Sequence, residues 1–203
     1  MKNQAIVLAI MSLLVTSSAM ADPTFQKCYT KTISKLKNAS LWSTITFPSG
    51  WENPSSPARL YLLSYSLRID GKGDMIQSCV ADTTGVGTRC EQSVWGTVQV
   101  TSVASTMVYG SAPFSTTASV INAAPLKGDS NVTIQGPLSV DSTGGPIDPN
   151  WLSEQYAKAG QNMDFRVQMS GNGAGASNTS TAMMSAYLNN LNVTLCYNYM
   201  RNI

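Results

Sequence analysis

Apolar and polar residues alternate along the last part of the chain. Apolar side chains stand at every second position, namely Leu191, Val193, Leu195, Tyr197 and Tyr199. The residues between them are Asn192, Thr194, Cys196 and Asn198. Since successive side chains of a β-strand point to opposite faces, this period of two predicts a strand with one buried face. An alternating terminal strand is also suited to pairing with the sheet edge of a partner protein.

Further β-strands are predicted through most of the chain. Residues 60–69 also alternate, the segment Asp70-Gly71-Lys72-Gly73 is typical of a turn, and residues 75–80 can return as the second strand of a hairpin. Segment 171–180 has no apolar side chain larger than alanine, so we expect a mobile loop there. The other strand candidates are residues 41–47, 91–108, 116–121, 131–135, 137–140 and 165–170.

Two segments have the spacing of α-helices. In residues 24–37, one helical face would hold Phe25, Cys28, Tyr29, Thr32, Ile33 and Leu36, and the opposite face would hold Lys27, Lys31 and Lys35. A second helix near 149–159 would have Asp148 as its N-cap, Pro149 as its first residue and Gly160 as its stop. The sequence therefore predicts an α+β fold of mainly antiparallel β structure. The strands would form a sandwich or a single twisted sheet, with an N-terminal amphipathic helix and this second helix.

The first 21 residues have the features of an export signal. Lys2 supplies a positive start, residues 5–15 are largely apolar, and Ala19-Met20-Ala21 forms a small-residue cleavage site before Asp22. The apolar run is shorter than the roughly 20 residues that a membrane-spanning helix needs. We therefore expect residues 1–21 to be removed. Residues 22–203 should form a single exported domain that does not span a membrane, in the periplasm or at the surface of a bacterial cell.

The charge of the chain gives no reason to expect a nucleic-acid partner. Charged residues make up 12% of the sequence and the formal net charge is +2, whereas a charged share of about 25% is usual. Nucleic-acid-binding proteins concentrate positive charge to neutralise phosphates. The composition instead favours a polar, nearly neutral surface that contacts another envelope or surface protein, or a glycan.

Four cysteines in an exported chain predict two disulfide bonds. Of the three possible pairings, the expected one joins Cys79 to Cys90, which flank a short glycine-containing turn, and Cys28 to Cys196 near the two ends. A metal site would need different spacing, since the chain has no CxxC pair and no histidine. We therefore expect neither a metal nor a cofactor.

The absence of histidine also removes the usual nucleophile pairs of hydrolases. Most of the eleven carboxylates are expected at helix caps or in turns, Asp70 and Asp141 among the latter. Asp70 and Asp74 lie four residues apart as in calcium-binding loops, but a lysine stands where an acid is needed, so a hairpin turn is the better interpretation. We therefore expect no catalytic residue and no enzyme activity.

The candidate binding residues are aromatic or basic. Trp51 and Glu52 lie in a proline-containing loop that can stack a sugar ring or simply cover the core, and Lys27, Lys31 and Lys35 can bind anionic groups or form a solvated face. The sequence thus favours an exported, non-catalytic binding or assembly protein acting through protein–protein contacts. The alternatives are a glycan-binding or glycan-hydrolysing secreted protein, and a secreted enzyme inhibitor.

Overall fold

Eight β-strands account for nearly all of the structure. The computed structural model describes residues 24–37, 42–50, 60–80, 88–104, 107–122, 131–144, 155, 158–177 and 181–201. The strands are β1 (Thr24–Lys37), β2 (Ser43–Pro48), β3 (Leu60–Val80), β4 (Thr88–Ser102), β5 (Val108–Asn122), β6 (Asn131–Gly144), β7 (Asn162–Ser177) and β8 (Thr181–Arg201). The predicted export signal, residues 1–21, lies outside these ranges and stays a prediction.

The strands form two four-stranded antiparallel sheets. Sheet A has the order β1-β8-β3-β6, and sheet B has the order β2-β7-β4-β5. The pairs are nested, because β1 pairs with β8, β2 with β7, β3 with β6 and β4 with β5. An antiparallel chain folded in half and then rolled into two sheets has this strand order, which is that of an eight-stranded jelly roll.

The core lies between the two sheets and is contributed by alternate residues of their strands. In β8 the predicted apolar face is buried, with Leu191, Val193, Leu195 and Tyr197 fully inaccessible. Sheet B contributes Phe47, Phe165 and Tyr109, whose rings pack edge to face in the pairs Phe47–Phe165 and Tyr109–Phe165. The period-two alternation of β8 therefore marks the centre of sheet A.

Segment 24–37 is strand β1, so the predicted N-terminal helix is wrong. Its apolar residues fit both periods, because Phe25, Tyr29 and Ile33 recur at helical spacing and also share one face of a strand. Tyr, Thr and Ile favour strands through packing on neighbouring strands. Here that neighbour is β8, with which β1 pairs in register from Thr24 to Lys37. A partner strand at least 150 residues away, measured between paired residues, thus decides between two locally acceptable structures.

The Asp70-Gly71-Lys72-Gly73 segment is not a turn, because β3 runs through it as one strand from Leu60 to Val80. The glycines allow β8 to approach closely. A Cβ on Gly73 would overlap the Tyr187 carbonyl group and lie 2.6 Å from the Leu188 Cα atom. Close approach of a neighbouring backbone is a known reason for glycine inside a strand. The predicted hairpin of residues 60–80 is therefore wrong.

All elements of the described ranges are antiparallel strands, so the predicted α+β class with two helices is wrong and only its antiparallel β part is confirmed. Of the predicted helix near 149–159, only Gln155, in helical conformation, and the turn at residues 158–160 are described, and the rest of this prediction lies outside the described residues. The backbone amides of Lys158 and Gln161 donate to carbonyls three residues earlier, as in a tight turn. No helix within the described ranges has the length and apolarity to cross a membrane.

Part of the predicted glycine-rich loop 171–180 is also strand. Residues 171–177 belong to β7 and pair with β4, from Gly171 opposite Gly96 to Ser177 opposite Cys90. The small side chains of this segment suit a position where two strands lie close together. Low side-chain bulk alone therefore did not distinguish a flexible loop from a closely packed strand.

A disulfide joins the two strands on the outer face of sheet A. Cys28 of β1 and Cys196 of β8 are direct cross-strand partners, and their sulfur atoms are bonded at 2.08 Å. Cys90 is also disulfide-bonded. The side chain of Cys79 lies outside the described residues, so its pairing with Cys90 stays a prediction.

Candidate functional site

A polar depression crosses the outer face of sheet A. Its volume is about 1010 Å³, and we call it the polar trough. The lining side chains of β3 stand at alternate positions, with buried Leu67, Ile69 and Met75 pointing the other way into the core. The trough is lined by Arg68, Asp70, Gly71, Lys72, Gly73, Asp74, Pro137, Leu138, Ser139, Val140, Asp141, Asn189, Asn190 and Asn192.

The trough lies where the pairing of β3 with β8 is irregular. The register shifts between Asp70 and Lys72, which pair with Asn192 and Asn189 respectively. Asn190 in between has a φ of 50°, a left-handed conformation that asparagine tolerates better than most residues. Such bulges bend a sheet and re-aim its side chains. The bulge therefore accounts for a local concavity on an otherwise regular sheet.

A chain of polar contacts crosses all four strands at one end of the trough. Thr32 of β1 donates to Asn192 Oδ1 at 2.8 Å, and Asn192 Nδ2 donates to Asp70 Oδ2 at 3.2 Å. Arg68 then bridges two carboxylates, with Nε 3.5 Å from Asp70 Oδ1 and Nη2 3.4 Å from Asp141 Oδ1. These ion pairs are solvent-exposed, so each contributes about 0–1 kcal/mol of stability. Their main consequence is to place Arg68, Asp70 and Asp141 side by side on the outer face of sheet A.

The other end of the trough presents groups with fewer internal contacts. Asp74 Oδ1 accepts a hydrogen bond from Gln135 Nε2 at 2.9 Å. Lys72 is exposed and forms no ion pair with any other described residue. The trough thus offers an ammonium group, carboxylates and amides together. No group of three or more metal-ligating side chains within the described ranges is arranged to hold a metal ion.

The residues predicted from sequence do not line the trough. Trp51 and Glu52 lie outside the described residues, so nothing is said of their structure. Lys27 lies with its Nζ 5.6 Å from the centre of the Tyr199 ring, and Lys35 lies 4.5 Å from that of Tyr187. Tyr199 is buried, whereas Tyr187 stands between buried Ala186 and Leu188 and so faces outwards.

The three lysines therefore do not form one helical stripe. Lys27 and Lys31 share the inward side of the edge strand β1, opposite Tyr197 and Val193 of β8. Lys35 lies on the other face, because Leu36 next to it turns into the core. Positive charge along an edge strand discourages pairing with other chains. The arrangement fits protection of this edge better than a single anion-binding surface.

The trough residues were missed because Asp70 and Asp141 were assigned to turns. Both lie within strands, and they stand directly opposite each other in the β3–β6 pair. A usable signal was present in the sequence. Arg68, Asp70, Lys72 and Asp74 carry charge at every second position, which is the pattern of one strand face. The glycines between them led instead to the prediction of a turn.

Comparisons with known proteins add little. No protein-family model matches the sequence, and no curated protein matches it. A cryo-EM structure of mud crab tombus-like virus is similar at 9% identity with a TM-score of 0.20, covering 100% of this chain and 91% of that one. A structure of infectious bursal disease virus, Gt strain, is similar at 12% identity with a TM-score of 0.13, covering 98% and 45%. At these TM-scores the topology rests on the strand pairing of this chain alone.

Proposed function

We propose that the protein is a non-catalytic binding protein that holds a partner protein of the cell envelope or surface in the polar trough. The observation that supports this most directly is the alignment of Arg68, Asp70, Lys72 and Asp74 along a concave surface. Arg68 and Asp70 contact each other and Asn192, so these groups are presented together to a partner.

The charge pattern favours a protein as the partner. The trough presents cations and carboxylates within a few residues of each other, so a complementary surface must also carry both signs. Protein surfaces interleave acidic and basic side chains, and complementary charge raises association rates and specificity. The terminal strand β8 is paired on both sides, with β1 and β3, so it does not offer an edge for pairing with a partner strand.

Affinity capture from the envelope fraction of the native host tests this proposal. The bait proteins are the wild type, a trough variant carrying Lys72→Glu and Asp141→Lys, and a control carrying Lys158→Glu in the turn before β7. We expect one protein to be retained in stoichiometric amount by the wild type and the control and to be lost with the trough variant. Retention that is equal for all three baits, or absent for all three, would contradict the proposal.

A further inference from the structure

A tryptophan is exposed near the middle of the outer face of sheet B. Trp95 lies on β4, an inner strand of the sheet, and 45% of its surface is accessible. A shallow depression of about 560 Å³ is lined by sheet B residues and by Ser139 of β6 in sheet A; the sheet B residues are Trp95, Gly96, Thr97, Pro113, Phe114 and Ser115. Tryptophan is mostly buried in folded proteins. Its exposure on a flat sheet, away from any loop, needs an explanation.

The neighbours of Trp95 are hydrogen-bonding but uncharged. In the strand register, Trp95 lies opposite Ser115 of β5 and Asn172 of β7. No ionisable residue occurs in the adjoining segments 92–98, 111–119 and 168–174. The nearest one on β4 is Glu91, four residues and about 13 Å away along the strand. The sheet B side of the depression is therefore uncharged, which suits a neutral ligand. On its other side, Ser139 of β6 lines the depression and pairs with Lys72 of β3.

The backbone beneath Trp95 is held firmly. Gly96 lies opposite Gly171 of β7, and the ring of Phe114 covers both from the core side. A Cβ on Gly171 would lie 2.7 Å from the Trp95 carbonyl oxygen, and one on Gly96 would lie 2.7 Å from Phe114 Cζ. The two strands are thus in close contact at this point. A binding group on such support is pre-positioned, which lowers the cost of binding.

We infer that Trp95, with Thr97, Ser115 and Asn172, forms a binding site for a neutral sugar. A pyranose ring has an apolar face of C–H groups that can lie on the indole ring, and equatorial hydroxyls that can reach side-chain hydroxyls and amides around it. An aromatic surface ringed by neutral hydrogen-bonding groups matches both properties. The four residues of the site are on sheet B, but Ser139 of β6 lines both this depression and the polar trough, so a trough variant is needed to separate the two proposals.

A second exposed tryptophan on the same face provides a matched control. Trp42 is 52% exposed, but the Arg166 guanidinium lies 4.5 Å from the centre of its ring. A cation occupying one ring face makes that face unavailable for stacking. Substitution of Trp42 thus removes a comparable exposed indole without touching the proposed site.

The test is an NMR titration of ¹⁵N-labelled protein with three neutral oligosaccharides, built from glucose, from galactose and from N-acetylglucosamine. We expect at least one to shift saturably, at millimolar concentration, the Trp95 indole N–H signal and the backbone amide signals of Thr97, Ser115 and Asn172, which report the affinity in the variants that lack the indole. Affinity should fall about tenfold or more in Trp95→Ala and fall less in Trp95→Phe. It should be unchanged in Trp42→Ala and in the trough variant Lys72→Glu.

Several outcomes would overturn the inference. They are the absence of any shift with all three sugars, an equal loss of affinity in Trp42→Ala and Trp95→Ala, and a loss confined to Lys72→Glu. Self-association that is abolished by Trp95→Ala, without sugar binding, would instead identify the surface as an interface between copies of this chain. Thermal denaturation of each variant checks that the fold is retained.

Discussion

Tyr197 combines burial with an ionisable group. Its hydroxyl donates to the Pro48 carbonyl at 2.9 Å, and desolvation by burial raises the pKa of the phenol well above the ordinary tyrosine value. In the unfolded chain the phenol ionises near pH 10. Above that pH the unfolded state loses a proton that the folded state keeps, so the free energy of unfolding should decrease as pH rises.

Urea denaturation between about pH 9 and pH 11 measures this dependence. We expect Tyr197→Phe to lose about 1 kcal/mol at neutral pH, because the hydrogen bond to Pro48 is absent. The variant should also show a shallower fall in stability at alkaline pH than the wild type. Identical slopes would show that ionisation of Tyr197 is not linked to unfolding.

Gly73 tests the close approach of β3 and β8. A Cβ at this position meets the backbone of Tyr187 and Leu188, which cannot rotate away. We expect Gly73→Ala to cost about 1–3 kcal/mol of stability, the usual range for overpacking. Gly136→Ala is the control, because its Cβ would meet side-chain atoms of Thr116 and Met75 and the Ala118 methyl at 3.1–3.4 Å. Chemical denaturation should rank Gly73→Ala as clearly the more damaging of the two.

At the scale of elements, β1 is the strand whose attachment is most easily tested. It is an edge strand that pairs only with β8, and the Cys28–Cys196 disulfide lies within that pair. In the chain-entropy model a bridge closing a loop of this length contributes about 5 kcal/mol. We expect the double variant Cys28→Ser/Cys196→Ser to lose about 3–5 kcal/mol.

Hydrogen exchange should locate the effect of that double variant. The amides of β1 should lose protection first, while those of β3 and β4 keep it until global unfolding. Uniform loss of protection over all strands would mean that β1 and the rest of sheet A unfold as one unit. Exchange unchanged from the wild type would mean that the bridge adds nothing to the pairing of β1.

The success of sequence-based prediction differed from element to element for physical reasons. The alternation in β8 identified a buried strand because its inward face, from Leu191 to Tyr199, is fully apolar. In β1 the apolar residues fitted both the helical and the strand period, and pairing with β8 decided between the two structures. In β3, Gly73 is needed because the backbone of Tyr187 and Leu188 in β8 lies too close for a larger side chain. No local pattern contains that information.

The candidate sites also differed in how far local sequence patterns could reveal them. The charged positions of β3 could have been found once residues 68–74 were treated as strand. Trp95 lies in the predicted strand segment 91–108, but nothing local distinguished its exposure from burial. Its neighbours Ser115 and Asn172 come from strands that lie about 20 and 77 residues away along the chain. A surface assembled from such distant segments can be recognised only when the strand topology is known.

At the scale of the whole molecule, the position of β8 makes it indispensable. It pairs with both β1 and β3 and supplies the centre of the sheet A core. We expect a chain that ends at residue 186 to be unfolded, as judged by near-ultraviolet circular dichroism and rapid proteolysis. A chain that begins at residue 42 loses only the edge strand β1 and should retain cooperative unfolding at lower stability. Folded, protease-resistant material from the first truncation would contradict the central role of β8.

The pairing of β1 with β8 also determines when folding can finish. The first and last described strands are partners, so sheet A cannot be completed until nearly the whole chain is available. Folds dominated by such distant pairings form slowly, in milliseconds to seconds. A chain bound for export must cross the membrane unfolded if it uses the general secretory route. If the predicted signal of residues 1–21 directs export, we expect the late requirement for β8 to delay the completion of folding inside the cell, so that topology itself helps to keep the chain competent for translocation.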